Sequence, residues 1–342
     1  MALIYPMDLQ AWRAWQGRQN RLRKLRAGMR PAATPTALLA VRGASPRVLV
    51  ALDAPTPTQL ASLLKPLELL GNVDAAVLLP GRMSHLLQGD WTWSRVSAEL
   101  VPEELSTVRV VLGVGHYLPI GGLAELYGQQ VQAQFLVVQH GLLTPHAPPL
   151  PGNSLLLAFS EQDAQYAISK RSDVAHTVVG SQLLWDAAGD AKIGVVSDQP
   201  VFLGQLHGAE LPRPGKARTT SMFCRSTGAL YRPHPAETDI LSRAQHAYWE
   251  RRGLSIDRAG GPLRELTQPV VSIFSTGVLE AAVRGLPAWV TYHNPPPWLE
   301  EFWERYSLSQ WGRDATLPPV QPAVEPAVAI ARIVKNLIGE SP

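Results

Sequence analysis

Cysteine is almost absent from this chain, in which Cys224 is the only one among 342 residues. Because a single cysteine cannot form a disulfide within the chain, we expect a protein of a reducing compartment. The sequence also lacks an apolar run of about 18 residues, the length that a membrane-spanning helix needs. Its N-terminus lacks the basic, then apolar, then small-residue order of a secretory signal. We therefore expect a cytoplasmic protein.

Clustered acidic residues are missing as well. No Asp-x-Asp motif occurs, and the carboxylates are spread along the chain rather than grouped as a divalent cation requires. We therefore expect neither a metal nor another resident cofactor. Apolar residues make up 46% of the chain and charged residues 17%, which is the balance of a globular protein with a large core, and the length suits two domains.

Acidic residues are absent in particular from residues 11–30, which carry seven basic ones. Without that stretch the chain has 24 basic residues against 28 acidic ones, so a mildly acidic body carries a basic arm, residues 1–30. Trp12, Trp15 and several leucines of the arm fall near one face at helical spacing, which predicts an amphipathic helix.

Three roles are open for this basic amphipathic helix. Its tryptophan and leucine face can pack on the protein body, or residues 9–30 can lie on an anionic membrane surface, where each basic residue contributes about 1 kcal/mol. The same arginines can bind the phosphates of a nucleic acid, a role that we rank last. The second role would make the protein peripheral at the inner face of the membrane.

Apolar strand-like runs alternate with helical stretches from residue 36 onward. Apolar strands between helices are typical of parallel sheets that helices cover on both faces, so the predicted fold class is α/β. A polar loop at 186–190 divides the alternation, which predicts an N-terminal Rossmann-like domain at 36–190 and a C-terminal one at 191–317. A last helix at 325–339 follows a proline-rich linker and can return to the N-terminal domain. The predicted strands are 47–52, 74–79, 108–114, 134–138, 154–159, 177–179, 201–203, 229–232 and 270–274.

Ligands of open α/β sheets bind beyond the carboxyl ends of the strands, so the residues that follow each strand are the first candidates for a site. Polar residues hold such positions in both halves of the chain. They are Asp53, His116 and His140-Gly141 in the first half, and His207, Arg232, His234 and Ser275-Thr276-Gly277 in the second. A lone histidine at such a position is most often an ordinary loop residue, but the recurrence at several strand ends favours a site.

Residues 269–289 give the clearest local prediction. Their apolar first part predicts a buried strand, Ser275-Thr276-Gly277 a turn, and the following residues a helix that ends at Gly285. A strand that opens directly into a helix directs backbone N–H groups toward an anion. Glu280 follows Thr276 by four residues and shares its helix face. The segment is therefore either a capped βα turn or a phosphate site.

Three short motifs occur in order along the chain. Val138-Gln139-His140-Gly141 follows a strand, Tyr231-Arg232-Pro233-His234-Pro235 comes next, and FSTGVLEAA at 274–282 comes last. Together they resemble the bacterial cell-envelope GT-B superfamily that includes CDP-glycerol glycerophosphotransferases and capsule polysialyltransferases, over about residues 130–290. The resemblance implies two Rossmann-like domains that face each other across a cleft, with a nucleotide-activated donor held mainly by the second.

The resemblance also implies roles for individual residues. His234, with Arg232, would contact the donor phosphates, the Ser275-Thr276-Gly277 turn would contact the same phosphates, and Glu280 would face the nucleotide ribose. A cation, two hydroxyls and a helix N-terminus can stabilise the negative charge on a departing nucleotide phosphate without a metal. His234 can also donate a proton to that phosphate.

Transfer of a group also needs a base that deprotonates the acceptor hydroxyl. In the glycerophosphotransferase branch the resemblance points to the His-Gly histidine, here His140, which we prefer. Asp53, which follows the first strand, and His116, which follows a glycine, are the other candidates. Gly141 and His207 complete the set of residues that we predict near a site.

The predicted function is a metal-independent GT-B transferase of capsule or teichoic acid biogenesis. It would move a sugar or polyol-phosphate group from a nucleotide-sugar or CDP-polyol donor to a cell-envelope glycan or lipid-linked acceptor. Two other classes stay open, namely a non-catalytic nucleotide- or RNA-binding protein on a degenerate GT-B fold and a nucleotide-sugar epimerase of the same architecture. Residues 36–130 hold no motif that we recognise, so the acceptor is not predicted.

Overall fold

Short runs of valine, leucine and alanine form the N-terminal sheet, because apolar strands pack well where both faces of a sheet are covered. A computed structural model of the chain describes residues 2–19, 37–98, 100–190, 194–258 and 260–340. The strands of this sheet are β1 Ala37–Arg42, β2 Val48–Ala51, β3 Ala75–Pro80, β4 Thr92–Val96, β5 Val110–Gly113, β6 Gln134–Val138, β7 Leu155–Ala158 and β8 Ala175–Val178. Their order across the sheet is β4-β1-β3-β2-β5-β6-β7-β8.

The sheet is mostly but not wholly parallel. Strands β3, β2, β5, β6, β7 and β8 form one parallel series, whereas β1 runs antiparallel to both β3 and β4. The prediction of a parallel sheet is therefore confirmed for six strands and fails at this edge, where β1 and β4 were not predicted. No helix separates β1 from β2 in the chain, so the alternation of strands and helices does not reveal β1 as a separate strand.

Helices cover both faces of the N-terminal sheet. The helices up to residue 168 are α1 Leu9–Gln19, α2 Pro57–Gln59, α3 Lys65–Leu69, α4 Pro119–Gln130 and α5 Glu161–Ile168, and a π-helical turn, Leu60–Leu64, lies between α2 and α3. One core cluster joins strand residues to Leu63 and Leu67, and the other joins strand residues to Ile120 and Tyr127. The sheet is thus a central layer between two apolar cores.

The C-terminal helix α11, Pro326–Ile338, packs on the same sheet through Ile330 and Val334. Gln182 Oε1 accepts the N–H of Ala327 at 2.7 Å, and Arg47 Nη2 donates to the Ile338 carbonyl at 2.8 Å. These bonds satisfy backbone groups at the two ends of the helix, which would otherwise lack partners.

The chain divides into two compact units. The N-terminal unit comprises Ala2–Leu183 with Pro322–Pro342, and the C-terminal unit comprises Leu184–Gln321. A helix, α6 Gln182–Gly189, crosses the boundary between them in sequence. The loop that we expected at 186–190 is therefore mostly helical, since two alanines lie within it and the leucines and tryptophan just before it also favour a helix.

The first part of the predicted basic arm packs on the N-terminal unit. Trp12 is buried on α1, meets the Tyr117 ring edge-on at 5.4 Å between centroids, and donates from its indole N–H to the His146 carbonyl at 2.8 Å. Trp15 stacks on the His146 ring at 4.5 Å. Within residues 9–19 the tryptophan face is thus turned to the protein body. Residues 20–30 of the arm lie outside the described residues.

The C-terminal unit contains a smaller sheet that is wholly parallel. Its strands are β9 Val201–Leu203, β10 Leu230–Arg232, β11 Val270–Ser272 and β12 Ala288–Val290, in the order β10-β9-β11-β12. The helices that follow these strands are α7 Arg213–Thr227, α8 Ile240–Arg251, α9 Gly277–Val283 and α10 Pro297–Arg305. Helix α9 ends before Gly285, whose φ of +84° confirms the predicted glycine stop.

Among the described residues, none of the helices combines the length and the apolar character that crossing a membrane requires.

Candidate functional site

The loops that follow β9 and β10 meet at the carboxyl edge of the C-terminal sheet, because these two strands are parallel neighbours. His207 follows β9 and His234 follows β10. Their imidazole rings stack with centroids 3.7 Å apart and 24° between the ring planes. The structure therefore brings together two histidines that the sequence placed after different strands.

Glu237 ties these two loops together, and its carboxylate is buried. Its Oε1 accepts the N–H of Leu206 at 2.8 Å and lies 3.8 Å from His207 Nδ1. Its Oε2 accepts the Tyr231 hydroxyl at 2.7 Å and pairs with His246 Nε2 at 3.0 Å. Burial alone would raise the pKa of Glu237, but the neighbouring histidines and the Tyr231 hydroxyl hold this pKa well below its usual value.

His234 is exposed, and its Nδ1 accepts the N–H of Ala236 at 3.0 Å. Because Nδ1 is the acceptor, the neutral ring carries its proton on Nε2. Desolvation by the atoms around the ring, together with the charge of His207, lowers the pKa of His234 to about 4. A ring with this pKa is neutral at pH 7 and offers an Nε2–H donor.

Arg232, the third residue of that motif, is buried. One terminal nitrogen of its guanidinium donates to the Gly261 carbonyl, and the other lies 3.5 Å from Asp257 Oδ2. Within the C-terminal unit its charge is thus satisfied by the Asp257 carboxylate and the Gly261 carbonyl.

The Ser275-Thr276-Gly277 turn lies where the sequence predicted it, between β11 and α9. Gln205 Oε1 accepts the N–H groups of the first two residues after β11, at 3.0 and 2.9 Å, which couples this turn to the loop after β9. Ser275 Oγ accepts the Gly277 N–H at 3.1 Å, whereas the Thr276 hydroxyl makes no capping bond. Both hydroxyl side chains are half-buried. The turn is therefore capped by Ser275.

Glu280 lies within α9 and is only 9% exposed. Burial raises its pKa to about 6, which the charge of Asp190 reinforces and the charges of Arg284 and Arg232 oppose. In the part of the chain that the structure describes, its carboxylate has no hydrogen-bond partner. A buried carboxylate without such a partner is costly to the fold, which favours a ligand role for it.

Two functional candidates of this unit were missed by sequence reasoning. Glu237 was not predicted as a site residue, although an acid three residues after His234 was a usable signal. Lys216, on α7, is 1% exposed and donates to the carbonyls of His207 and Gly208, both at 2.8 Å. No sequence signal marked Lys216, because its partners are main-chain atoms.

Asp53, in the N-terminal unit, is buried at the start of α4. Its two oxygens accept the N–H groups of Ile120 and Gly121 at 2.8 and 3.0 Å. Burial raises its pKa to about 6, against the effect of these two bonds. The carboxylate thus caps a helix from a neighbouring strand end, which gives it a structural role.

His140 and Gly141 follow β6 at the same edge of the sheet. His140 Nε2 lies 3.4 Å from the Tyr117 hydroxyl, and burial lowers the pKa of His140 to about 4. Burial and the nearby Asp53 raise the pKa of Tyr117, so this hydroxyl stays protonated. Gly141 accepts at its carbonyl from the Gln139 amide at 3.0 Å. Tyr117 was not predicted as a site residue, and it connects two of the predicted ones.

His116 lines a pocket of about 430 Å³ in the N-terminal unit. The lining is mostly apolar and comes largely from α1 and α4, with Arg13 and Glu125 as its other ionisable residues. Burial, and then the charges of Arg13 and Arg171, lower the pKa of His116 to about 4. Of the residues predicted for a site, His116 is the one that contributes to this lining.

Within the described ranges of the chain, no group of three or more His, Cys, Asp or Glu side chains is arranged to hold a metal ion.

Solved structures with a similar fold include UDP-GlcNAc 2-epimerases and a glycosyltransferase. UDP-GlcNAc 2-epimerase from Methanocaldococcus jannaschii, in complex with UDP-GlcNAc and UDP, matches with a TM-score of 0.52 and 13% identity over 84% of this chain and 99% of that chain. UDP-N-acetylglucosamine 2-epimerase from Rickettsia bellii has a TM-score of 0.47 and 11% identity, over 86% and 95% of the two chains. A glycosyltransferase from Rickettsia africae ESF-5 has a TM-score of 0.44 and 13% identity, over 86% and 88%.

These identities are low, so the likeness to the Methanocaldococcus structure shows the fold, which is α/β and GT-B-like. No family model matches the chain, and no curated protein matches its sequence.

Proposed function

We propose that this chain is a GT-B enzyme that binds a nucleotide-activated sugar or polyol at the carboxyl edge of the C-terminal sheet. The observation that carries the proposal is the state of His234. Its Nδ1 is occupied by the Ala236 N–H, its Nε2–H has no acceptor among the described residues, and the ring is exposed. A neutral N–H donor beyond the end of a parallel strand is suited to a phosphate oxygen.

The other residues of this edge fit the same donor. Ser275 and Thr276 offer hydroxyls to the phosphates, and Glu280 offers a carboxylate that accepts hydrogen bonds from ribose hydroxyls. The nucleotide-bound Methanocaldococcus epimerase, which shares the fold, supports a nucleotide-sugar ligand for this chain. The proposed donor is a nucleotide-sugar or a CDP-polyol.

The proposed reaction is transfer of the sugar or polyol-phosphate group to a hydroxyl of a cell-envelope glycan or lipid-linked acceptor. As the donor bond breaks, negative charge develops on the departing nucleotide phosphate, and the His234 N–H and the two hydroxyls stabilise it. In the N-terminal unit, His140 beside Tyr117 is the preferred acceptor base, with His116 as the second choice. Asp53 ranks below them because both its oxygens cap α4.

Metal independence is part of the proposal, because the His234 N–H and the two hydroxyls can stabilise the phosphate charge without a bridging cation. Full activity after treatment with EDTA is the expected result. A strict requirement for Mg²⁺ or Mn²⁺ would contradict this assignment.

A thermal-shift panel of CMP, CDP, UMP and UDP tests the donor site. We expect at least one nucleoside diphosphate to raise the melting temperature of the full chain. Replacement of His234 or of Ser275 and Thr276 by alanine should reduce that shift at the same nucleotide concentration while the protein remains folded. A panel without any shift would overturn the proposal. Retention of RNA without any nucleotide effect would then support the non-catalytic binding protein.

A nucleotide-sugar epimerase is the second candidate, favoured by the TM-score of 0.52 to the Methanocaldococcus enzyme. An epimerase converts its substrate without an acceptor, whereas a transferase needs one. Incubation of the chain with UDP-GlcNAc alone, followed by chromatography of the sugar nucleotides, separates the two. A new sugar nucleotide would identify the epimerase.

Trp12 and Trp15 pack on the protein body, so their face of the basic arm is not available to a membrane. We therefore propose membrane contact through residues 20–30 alone. Such contact would make the protein peripheral at the inner membrane face. Salt-sensitive flotation with anionic vesicles is then expected, and replacement of the five basic residues of 20–30 by glutamine should abolish it.

A further inference from the structure

The loop between β9 and α7 is held from one side by two basic residues of that helix. Arg213 Nη1 donates to the Leu206 carbonyl at 3.3 Å. Lys216 Nζ donates to the carbonyls of His207 and Gly208, both at 2.8 Å. Three successive carbonyl groups are therefore directed toward the first turns of α7.

This arrangement fixes the direction of three backbone N–H groups as well. In a trans peptide the carbonyl and the following N–H point in opposite directions, and the described chain contains no cis peptide. The N–H groups of His207, Gly208 and Ala209 consequently point away from α7. Gly208 has a φ of +87°, the left-handed conformation that lets neighbouring N–H groups converge on one anion.

These three N–H groups have no acceptor within residues 194–258 and 260–340, the described part of the C-terminal unit. The N–H just before them, that of Leu206, is bonded to Glu237. Gly208 is exposed, and His207 and Ala209 are half-buried, so a ligand can reach the loop. The loop thus combines a fixed backbone with donors that are free to bind.

One acidic residue opposes anion binding at this loop. A Cβ added to Gly208 would lie 2.5 Å from Glu210 Oε2, so this carboxylate is close to the loop. The Lys216 ammonium lies near enough to Glu210 for the two opposite charges to attract each other. The lysine therefore both orients the carbonyls and offsets the acid.

We propose that the N–H groups of His207, Gly208 and Ala209 form a backbone anion site that holds a phosphate group of the donor beside His234 Nε2. The stacked His207 and His234 rings bring the loop and the Nε2–H within reach of one phosphate or diphosphate. Lys216 is the positioning residue of the site, and it acts through the loop rather than on the ligand. This inference rests on the proposed function and names its phosphate-binding atoms.

The binding experiment compares nucleoside diphosphates with nucleosides by calorimetry on the full chain. Lys216→Met removes the ammonium and keeps the length of the side chain. It should weaken binding of UDP or CDP by about 10-fold and leave uridine or cytidine within about 2-fold, since only the phosphate contacts depend on the loop. The matched control is Lys65→Met, whose ammonium pairs with Glu325 in the N-terminal unit and whose loss should change neither affinity.

Two further variants sharpen the assignment. Glu210→Gln removes the opposing carboxylate and should tighten binding of inorganic pyrophosphate by a few fold. Lys216→Arg keeps a cation that can donate to two carbonyls and should restore part of the diphosphate affinity. Equal loss of nucleoside and diphosphate affinity in Lys216→Met would show a merely structural role and overturn the proposal.

A spectroscopic measurement on the unmutated protein covers the case in which Lys216→Met does not fold. With [¹⁵N]histidine labelling, the backbone amide of His207 is assigned through His207→Gln. It should shift downfield with UDP, CDP or pyrophosphate and stay unchanged with uridine or cytidine. If a nucleoside diphosphate binds and the amide does not move, the backbone site is wrong while the proposed function stands. If no nucleotide binds at all, the proposed function fails.

Discussion

His207 and His234 stack with their ring centroids 3.7 Å apart, although each follows a different strand of the C-terminal sheet. The contact is possible because β9 and β10 are parallel neighbours whose carboxyl ends lie at one edge. Glu237 stabilises it from within the unit, through its bond to the Leu206 N–H and its contact with His207 Nδ1. The pair is thus fixed before any ligand arrives, which lowers the entropic cost of binding.

His234 is predicted to act as a neutral donor. His234→Ala should weaken binding of a nucleoside diphosphate by about 10-fold, or about 1.4 kcal/mol, because one hydrogen bond to a charged oxygen is lost. His234→Gln retains an N–H at a similar reach and should recover part of the affinity. Because the pKa of His234 is lowered to about 4, its protonation should contribute no change in affinity between pH 6 and 8. Calorimetry across this range checks all three statements.

Glu280 should make nucleoside binding depend on pH. Its pKa is raised to about 6, so the carboxylate becomes ionised as the pH rises through that value and then accepts hydrogen bonds from the ribose. Nucleoside affinity is therefore expected to increase from pH 5 to pH 7 in the unmutated chain. In Glu280→Gln the affinity should be weaker at pH 7 and should no longer rise over this interval. A rise that persists in the variant would assign it to another group.

Ionised Glu280 should destabilise the folded chain. Between its ordinary pKa of 4.5 and about 6, the folded chain binds more protons at Glu280 than the unfolded chain, so its contribution to stability falls as the pH rises. Glu280→Gln should raise the free energy of unfolding at pH 7 by about 1–2 kcal/mol, and the gain should vanish below about pH 4.5. Denaturant titrations at pH 4.5 and 7 measure the difference. A variant that is less stable at pH 7 would contradict this account.

Trp12 should anchor α1 to the N-terminal unit. Trp12→Ala removes a buried ring and the indole bond to the His146 carbonyl, so we expect a loss of about 3 kcal/mol in the free energy of unfolding. The control is Trp93→Ala on the edge strand β4, where the side chain is 38% exposed and the loss should stay under about 1 kcal/mol. Equal effects of the two substitutions would show that α1 is not held through Trp12.

Gly204 is predicted to be irreplaceable for steric reasons. A Cβ there would lie 2.5 Å from the Tyr231 hydroxyl and 2.9 Å from both the Arg232 carbonyl and Glu237 Oε1. Gly204→Ala should therefore lower the free energy of unfolding by about 2–3 kcal/mol and disturb the stacked histidines. At Gly194 a Cβ would meet no atom of the described residues within 4 Å, so Gly194→Ala should be neutral. Thermal unfolding of both variants tests the contrast.

The strands of both sheets were largely predictable from the sequence, because a continuous apolar run between helices has few other interpretations. Predicted 270–274, for example, is observed as Val270–Ser272, followed by the expected turn and helix. Strands β1 and β4 were missed. β1 pairs antiparallel with both β3 and β4, and no α-helix separates β1 from β2 or β3 from β4 in the chain. Residues that follow strands were also predictable as candidates, because strand polarity alone sets which end faces a ligand.

The chain itself determines the α/β alternation, the glycine stop after α9 and the identity of the residues at each strand end. Tertiary structure alone decided that His207 meets His234, that Arg232 is used inside the unit, and that His234 carries its proton on Nε2. It also decided the roles of Glu237 and Lys216, whose partners come from distant loops or from main-chain atoms. Sequence patterns report periodicity and order, whereas protonation and hydrogen bonding depend on which groups the packed sheet brings within about 3 Å of one another.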